Sequence, residues 1–323
     1  MKTKKLLPVL ALILGMSSLS ACTENDQNIE FGNYWNSNAT VAYEQIDETL
    51  TYGVTFEKAA GYEALGYTLS YSDGTYVTQL KSEQLDGKNV YRYTTALNIK
   101  VTYQYGTSEP VTLEDSIVTE SVFLDAANNL RPISSSKKVI SNSPNNGGAS
   151  KVENCYISYN YEITTTYNEN GKNATCKIVN NAKPDAPVTQ ETAFSISTKK
   201  YSYLDNEQLL FALRGFPSNS SSSKVQIYSP FLDTTQKINL SFSSEEGKEF
   251  TLKENGEDVK KNITYIPVSL TIDGNNPGAT QKAWIAKTTN PQKNTNRNVM
   301  LQLETPLSYN IGKLVYTLNS VTR

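Results

Sequence analysis

Val90-Tyr-Arg-Tyr-Thr-Thr-Ala-Leu-Asn-Ile-Lys-Val-Thr-Tyr-Gln-Tyr105 decides the fold class of this chain. Tyr91, Tyr93, Thr95, Leu97, Ile99, Val101, Tyr103 and Tyr105 fall on one face. Val90, Arg92, Thr94, Ala96, Asn98, Lys100, Thr102 and Gln104 fall on the other. A period of two residues is that of a β-strand with one packed and one wet face. At ~3.3 Å per residue such a strand reaches roughly 50 Å, far beyond the usual length. A strand that long must twist and curve to stay within a compact domain. Cys155, Ile157, Tyr159, Tyr161 and Ile163 repeat the alternation. The expected fold is mainly β: a long, strongly curved antiparallel sheet with one or few short helices.

Turn signals divide the rest of the chain. Asp73-Gly74 lies between Tyr67–Ser72 and Thr75–Leu80 and reads as a tight hairpin turn, as do Asn170-Gly171 and Asp273-Gly274. Further strands are expected at 224–230, 236–243, 263–272, 281–287, 298–304 and 312–321. Segments 141–150 and 218–223 read as Ser/Asn-rich loops. The stretch 181–191 holds two prolines and reads as a long crossing loop or a subdivision of the domain. Asp115 interrupts the apolar positions Val111, Leu113 and Ile117 and is expected at a bulge or an edge. A helix is expected near 206–214. Asp205 and Gln208 form a capping box, Leu209, Leu213 and Phe216 an apolar stripe, and Gly215-Phe216-Pro217 the stop.

The N-terminus carries an address. Lys2, Lys4 and Lys5 precede the apolar run from Leu6 to Gly15, and small residues then lead to Cys22. The run is too short to span a bilayer, which takes roughly 20 residues. Leu19-Ser20-Ala21-Cys22 resembles the lipobox of bacterial lipoproteins. The resemblance implies that residues 1–21 are a removed signal peptide and that Cys22 is the lipid attachment site. Its two acyl chains would hold the protein on the extracytoplasmic face of a membrane. Thr23 stands where an aspartate retains many such proteins at the inner membrane, which leaves the outer membrane or the cell surface open. Residues 22–45 then read as the lipidated cysteine and a flexible tether, and 46–323 as the β domain.

Composition narrows the function classes. The chain has 30 Lys+Arg and 32 Asp+Glu, so without the three signal-peptide lysines the balance is 27 against 32, or −5. No basic block or stripe is present, which argues against nucleic acid and against a polybasic membrane patch. Histidine is absent, which removes His-ligated zinc and the Ser-His and Cys-His nucleophile systems. Ser134/Lys137, Ser135/Lys138, Ser197/Lys200 and Ser221/Lys224 have the S-x-x-K spacing, but without a helix N-terminus or a Lys-Thr-Gly strand. Glu245-Glu246 reads as a solvated turn. Asp273 to Pro277 lacks calcium-loop spacing. No cofactor is implied. A hairpin with Tyr167 opposite Lys172 places Cys176 against Ile163 and Cys155 roughly 26 Å further along, beyond disulfide reach. Two free buried thiols are expected.

The helix Asn206-Glu-Gln-Leu-Leu-Phe-Ala-Leu-Arg-Gly-Phe-Pro217 is followed by strands, among them Ala283-Trp-Ile-Ala286 and Ile311-Gly-Lys-Leu-Val-Tyr-Thr-Leu318. Over about 190–320 this resembles a family of uncharacterised exported bacterial proteins, itself similar to the half-barrel carriers of lipoprotein localisation. The resemblance implies a half-barrel-like sheet whose concave apolar face takes a lipid, an acylated peptide or another amphiphile. Tyr91, Tyr93, Tyr103, Tyr105, Tyr159 and Tyr161 are the candidate ligand-facing residues; the same six could instead form the core. The leading expectation is a non-catalytic, membrane-anchored binding protein. The alternatives are an envelope interaction or structural lipoprotein and, last, a carboxylate-dependent hydrolase.

Overall fold

The computed structural model describes residues 29–323 apart from 147, 183–187, 218–221, 255, 275–278 and 289. The expected signal peptide (residues 1–21), the lipobox-like Leu19–Cys22 and Ser221 lie outside the described residues. The strands are β1 (Asp47–Lys58), β2 (Thr68–Leu85), β3 (Lys88–Gln104), β4 (Val111–Leu124), β5 (Pro132–Pro144), β6 (Tyr156–Tyr167), β7 (Asn173–Asn180) and β8 (Val188–Ser195). They continue as β9 (Ser202–Tyr203), β10 (Ser222–Ser229), β11 (Thr234–Phe242), β12 (Glu246–Glu254), β13 (Glu257–Ile272), β14 (Gln281–Ala286), β15 (Met300–Pro306) and β16 (Gly312–Thr322). Among the described residues the one α-helix, α1 (Leu209–Ala212), is flanked by 3-10 turns at Asn206–Gln208 and Leu213–Gly215.

All of these strands belong to one 16-stranded sheet. β8 to β1 form an antiparallel meander, and β1 then pairs with β16, joining the start of the domain to its end. β13 pairs along one edge with β12 and then β11, and along the other with β14. Lys253 and Glu254 of β12 pair in parallel with Ser320 and Val321 of β16. β12 to β16 therefore close a five-stranded barrel, from which the long meander extends and curls. The two ends of the sheet meet through side chains. Phe194 of β8 stacks on Tyr228 of β10 at 3.8 Å, Tyr161 meets Phe231 at 5.2 Å, and Tyr167 meets Tyr203 at 6.0 Å.

The alternating strands behave as their pattern dictates, with the odd-numbered face of β3 inward. The capping box of Asp205 and Gln208 forms as expected. The apolar side of the helical segment is wider than a stripe, because Phe211, Ala212 and Leu213 are all buried.

Several expectations are corrected. Residues 29–45 are not a free tether: Ile29, Phe31, Trp35 and Asn36 are buried, and Gly32 N donates to Gly215 O at 2.8 Å. The aromatic residues spaced through this polar stretch are what draw it onto the domain. Asp73-Gly74 is not a hairpin turn but a bulge inside the continuous β2. Ser72 pairs with Lys100 and Thr75 with Asn98, so two residues oppose Ile99. The turn lies at Asp86-Gly87, whose φ angles of 50° and 74° suit a type I′ hairpin. In the β6–β7 hairpin Tyr167 pairs with Ala174 and Cys176 with Thr165, because Asn168 Oδ1 accepts from Lys172 N and Asn173 N and widens the loop. Cys155 ends a 3-10 turn ahead of β6, and both it and Cys176 are buried free thiols. Within 141–150, Ser141–Pro144 belong to β5, and within 181–191, Val188 onward belong to β8. Asp115 is at no bulge, because the β3–β4 register is unbroken, but it does stand at an edge, where the β4–β5 ladder has ended at Ser116 and Ile140.

Candidate functional site

The six tyrosines do not converge on a groove. Tyr91 and Tyr103 are fully buried, Tyr93, Tyr159 and Tyr161 nearly so, and Tyr105 is half-buried. They also divide between two cores: Tyr91, Tyr93, Tyr103 and Tyr105 in the main one, Tyr159 and Tyr161 in the one under the meeting ends of the sheet. Four of them are packed under other aromatic rings of the chain. Tyr91 packs on Trp35 and Tyr43, Tyr93 on Phe211, Tyr103 on Tyr67 and Tyr156, and Tyr161 on Phe231. The Tyr103 hydroxyl donates to Asn142 O at 2.5 Å. Burial raises the hydroxyls of Tyr91, Tyr93 and Tyr159 to about 12.

Three of the buried carboxylates tie together segments distant in sequence. The first is Asp205, at the meeting ends of the sheet. Its Oδ2 accepts from Tyr167 OH at 2.5 Å and Ser135 Oγ at 2.7 Å, and its Oδ1 from Glu207 N at 2.8 Å. Lys137 pairs with Glu207 beside it at 3.3 Å. Desolvation raises the Asp205 pKa, against the hydrogen bond from Tyr167. The cavity alongside, lined by Ser135, Lys137, Tyr167, Asp205, Glu207 and Tyr228 among others, holds ≈ 20 Å³. That is room for one water and not for a substrate. Ser135 and Lys137 therefore end in a latch that ties β5, β6 and the helical turn together.

The second centre is Glu48 at the start of β1. Arg214 Nη1 donates to its Oε1 at 2.7 Å, and Arg323 Nε to its Oε2 at 3.1 Å. Arg214 also donates to Arg297 O, and Asn298 Nδ2 to Arg214 O. Burial by itself would raise the Glu48 pKa, but the two guanidiniums outweigh it and hold the pKa below its ordinary value. In the third centre Asp115 accepts from Asn142 N at 2.8 Å, Asn142 Nδ2 at 2.9 Å and Ser141 Oγ at 3.2 Å. The β4–β5 ladder ends at Ser116 and Ile140, and the Asp115 carboxylate takes the place of the next backbone acceptor. Here desolvation prevails and raises the pKa.

Sequence reading flagged Asp115 and Asp205 but missed Glu48, Arg214 and Arg323 as a unit. A signal was present. Glu48 shares its parity with Leu50, Tyr52 and Val54, so it occupies an apolar-face position. Arg214 likewise interrupts an apolar helix.

An apolar notch of ≈ 20 Å³ lies between Leu213, Phe216 and Pro217 of the helical segment and Phe242, Val268 and Ile285 of β11, β13 and β14. Ser134, Ser135, Lys137 and Lys138 lie in strand β5, and Ser197 and Lys200 in an exposed connection. Glu245 ion-pairs with Lys287, and Glu246 begins β12. Among the described residues no cluster of three or more His, Cys, Asp and Glu side chains could hold a metal ion. No described helix is long and apolar enough to cross a membrane.

These features define a β-barrel-like domain whose interior is filled by its own side chains. No family model and no curated protein matches the chain. Among solved structures it is similar to a beta-barrel-like protein of the domain of unknown function DUF1849 from Brucella abortus. The TM-score is 0.50 at 9% identity, over 86% of this chain and 98% of that one. At that identity the likeness shows the fold alone.

Proposed function

We propose that this chain is an envelope lipoprotein, held by Cys22 on the extracytoplasmic face of a bacterial membrane, that works through its outer surface as a non-catalytic interaction or structural protein. One observation carries the choice over an amphiphile carrier. The concave face that a ligand would occupy is filled by the chain itself, with Trp35 against Tyr91 at 5.6 Å and Phe211 against Phe123 at 4.9 Å. Protein interiors packed in this way leave no volume for an acyl chain. The β-barrel-like likeness is compatible with a binding protein. The lipoprotein assignment rests on Leu19 to Cys22 and on the basic and apolar residues before them.

A second reading, amphiphile binding, has the apolar notch between Phe216, Phe242 and Ile285 in its favour. Native mass spectrometry of the protein purified in detergent, followed by organic extraction and lipid analysis, separates the two. A clean protein mass, with only the lipid covalently attached at Cys22, supports the interaction reading. A non-covalent amphiphile that co-purifies and is lost on extraction overturns it. Export of a Cys22→Ser variant with no membrane retention is expected from the lipoprotein assignment; retention unchanged overturns that part.

A further inference from the structure

Arg297 carries a guanidinium that the fold leaves unused. Among the described residues its side-chain N–H groups make no hydrogen bond, and its one ion pair, with Glu44, spans 3.8 Å. Glu44 is already engaged, its oxygens accepting from Ser37 N at 2.6 Å and Ser37 Oγ at 2.5 Å. Yet the Arg297 side chain is only 18% exposed. A charged group so far withdrawn from water, with its donors unfilled, calls for a partner.

The surroundings hold it in place. Arg297 and Asn298 are both left-handed, with φ of 46° and 45°. Asn294 Oδ1 accepts from Arg297 N at 2.6 Å, and Arg214 Nη2 donates to Arg297 O at 2.8 Å. Asn294 N in turn donates to Ser37 O at 2.9 Å. Arg323 reaches the same loop, with Nη1 donating to Thr295 O at 3.4 Å and Nε to Glu48. Its Nη2 donates to nothing among the described residues. Three guanidiniums, of Arg214, Arg297 and Arg323, thus face two carboxylates, of Glu44 and Glu48, and one positive charge is in excess. Burial first, and then the Arg323 guanidinium, hold the Arg297 pKa below its ordinary value against Glu48 and Glu44.

We propose that Arg297 and Arg323 together bind a phosphate group at this place. A carboxylate offers two oxygens, enough for one guanidinium fork. A phosphate group offers three, which two guanidiniums can share. Its negative charge also balances the excess. The arginines are brought together from distant parts of the chain, which is why no basic block marks the site in the sequence. Free phosphate and a phospholipid headgroup share this chemistry. Ser37 follows Cys22 by 15 residues, at most ~50 Å of extended chain, so the anchor proposed above brings headgroups within reach. The site itself does not depend on that anchor.

Thermal unfolding of the full chain, purified in a phosphate-free detergent, tests the site. Inorganic phosphate is compared with chloride at equal ionic strength. A bound ligand raises the midpoint with its concentration. Exclusion of salt from the surface acts on every variant alike. The wild-type midpoint should rise and saturate. Arg297→Gln should need about tenfold more phosphate for the same rise. It should lose nothing in chloride, because no internal side-chain hydrogen bond is removed. Lys260→Gln, which removes an exposed lysine of β13, should behave as wild type. The proposal is overturned by a wild-type midpoint that phosphate moves no more than chloride, by a rise that Arg297→Gln keeps in full, or by one that Lys260→Gln loses equally. Sedimentation of the Cys22→Ser chain with vesicles assigns the source. Binding to phosphatidylcholine vesicles carrying phosphatidic acid, absent with phosphatidylcholine alone and weakened by Arg297→Gln, supports a headgroup. No sedimentation beside an intact phosphate response supports free phosphate. The midpoint is read without a membrane, so failure of the anchor at Cys22 and failure of this site are told apart.

Discussion

Arg214 and Glu48 meet at 2.7 Å with both side chains almost entirely out of water, joining the end of the helical segment to the first strand of the sheet. Arg323, the last residue, reaches the same carboxylate. Removing one partner of a buried pair leaves the other charged and uncompensated, at about 3–5 kcal/mol. Glu48→Gln is expected to lose that much at neutral pH by denaturant unfolding, whereas Glu48→Met with Arg214→Met should recover most of it. The pKa of Glu48 is lowered in the folded state, so its contribution is present above the ordinary 4.5 and lost as pH falls through the folded value. The gap between wild type and Glu48→Gln should therefore shrink in acid; a pH-independent gap would count against the ion pair.

Asp115 has the opposite sign. Its pKa is raised, so its contribution is present below the ordinary 3.8 and lost as pH rises through the folded value. The amide introduced by Asp115→Asn keeps an acceptor for Asn142 and can donate to the Ser141 hydroxyl. The stability of Asp115→Asn relative to wild type is expected to grow between about pH 3 and pH 7, a window that starts below the usual carboxylate range and ends well above it. Asp115→Ala strands the Asn142 donors and should cost about 1–3 kcal/mol. Thermal unfolding across this pH range measures both.

Trp35 is fully buried against Tyr91 and Phe211. Trp35→Ala is expected to cost about 3–5 kcal/mol, the loss typical of a buried aromatic. A free tether would show no loss at all, so chemical denaturation of this one variant decides whether the domain begins before residue 46.

Tyr103 and Tyr316 are buried and Tyr71 is partly buried against the same core, and desolvation raises all three hydroxyls well above the ordinary 10. In an alkaline spectrophotometric titration a large part of the phenolate signal should appear only with unfolding, in one step with the loss of β-sheet circular dichroism. Smooth ionisation of all tyrosines near their ordinary value, in a still-folded protein, would contradict the filled interior.

Gly74 and Gly87 separate the bulge from the turn. A Cβ on Gly74 would lie 2.5 Å from Val54 O, although its φ is one that any residue adopts. Gly87 has nothing within 4 Å but a φ of +74°. Gly74→Ala should cost about 1–3 kcal/mol through overpacking against β1. Gly87→Ala should cost about 1 kcal/mol through backbone conformation alone. Equal effects would restore the hairpin reading of Asp73-Gly74.

The sequence by itself determined what depends on neighbours along the chain. Val90 to Tyr105 alternates with period two, and a strand results whatever it pairs with. Asp205 and Gln208 cap a turn whose donors lie within the same few residues. Leu19 to Cys22 carries, within four residues, the lipobox resemblance on which the proposed address rests. The tertiary structure decided what depends on residues distant in sequence. Asp73-Gly74 carries the chemistry of a turn, but the ladders to β1 and β3 on either side hold β2 straight through it. Polar residues 23–40 read as a tether because Phe31 and Trp35 are buried by residues distant in sequence, Phe216, Phe211 and Tyr91 among them. Whether the tyrosine face is a groove or a core was likewise a question of what covers it. Glu48, Asp115 and Arg214 stand at apolar-parity positions, a local anomaly whose resolution lies in partners dozens to hundreds of residues away.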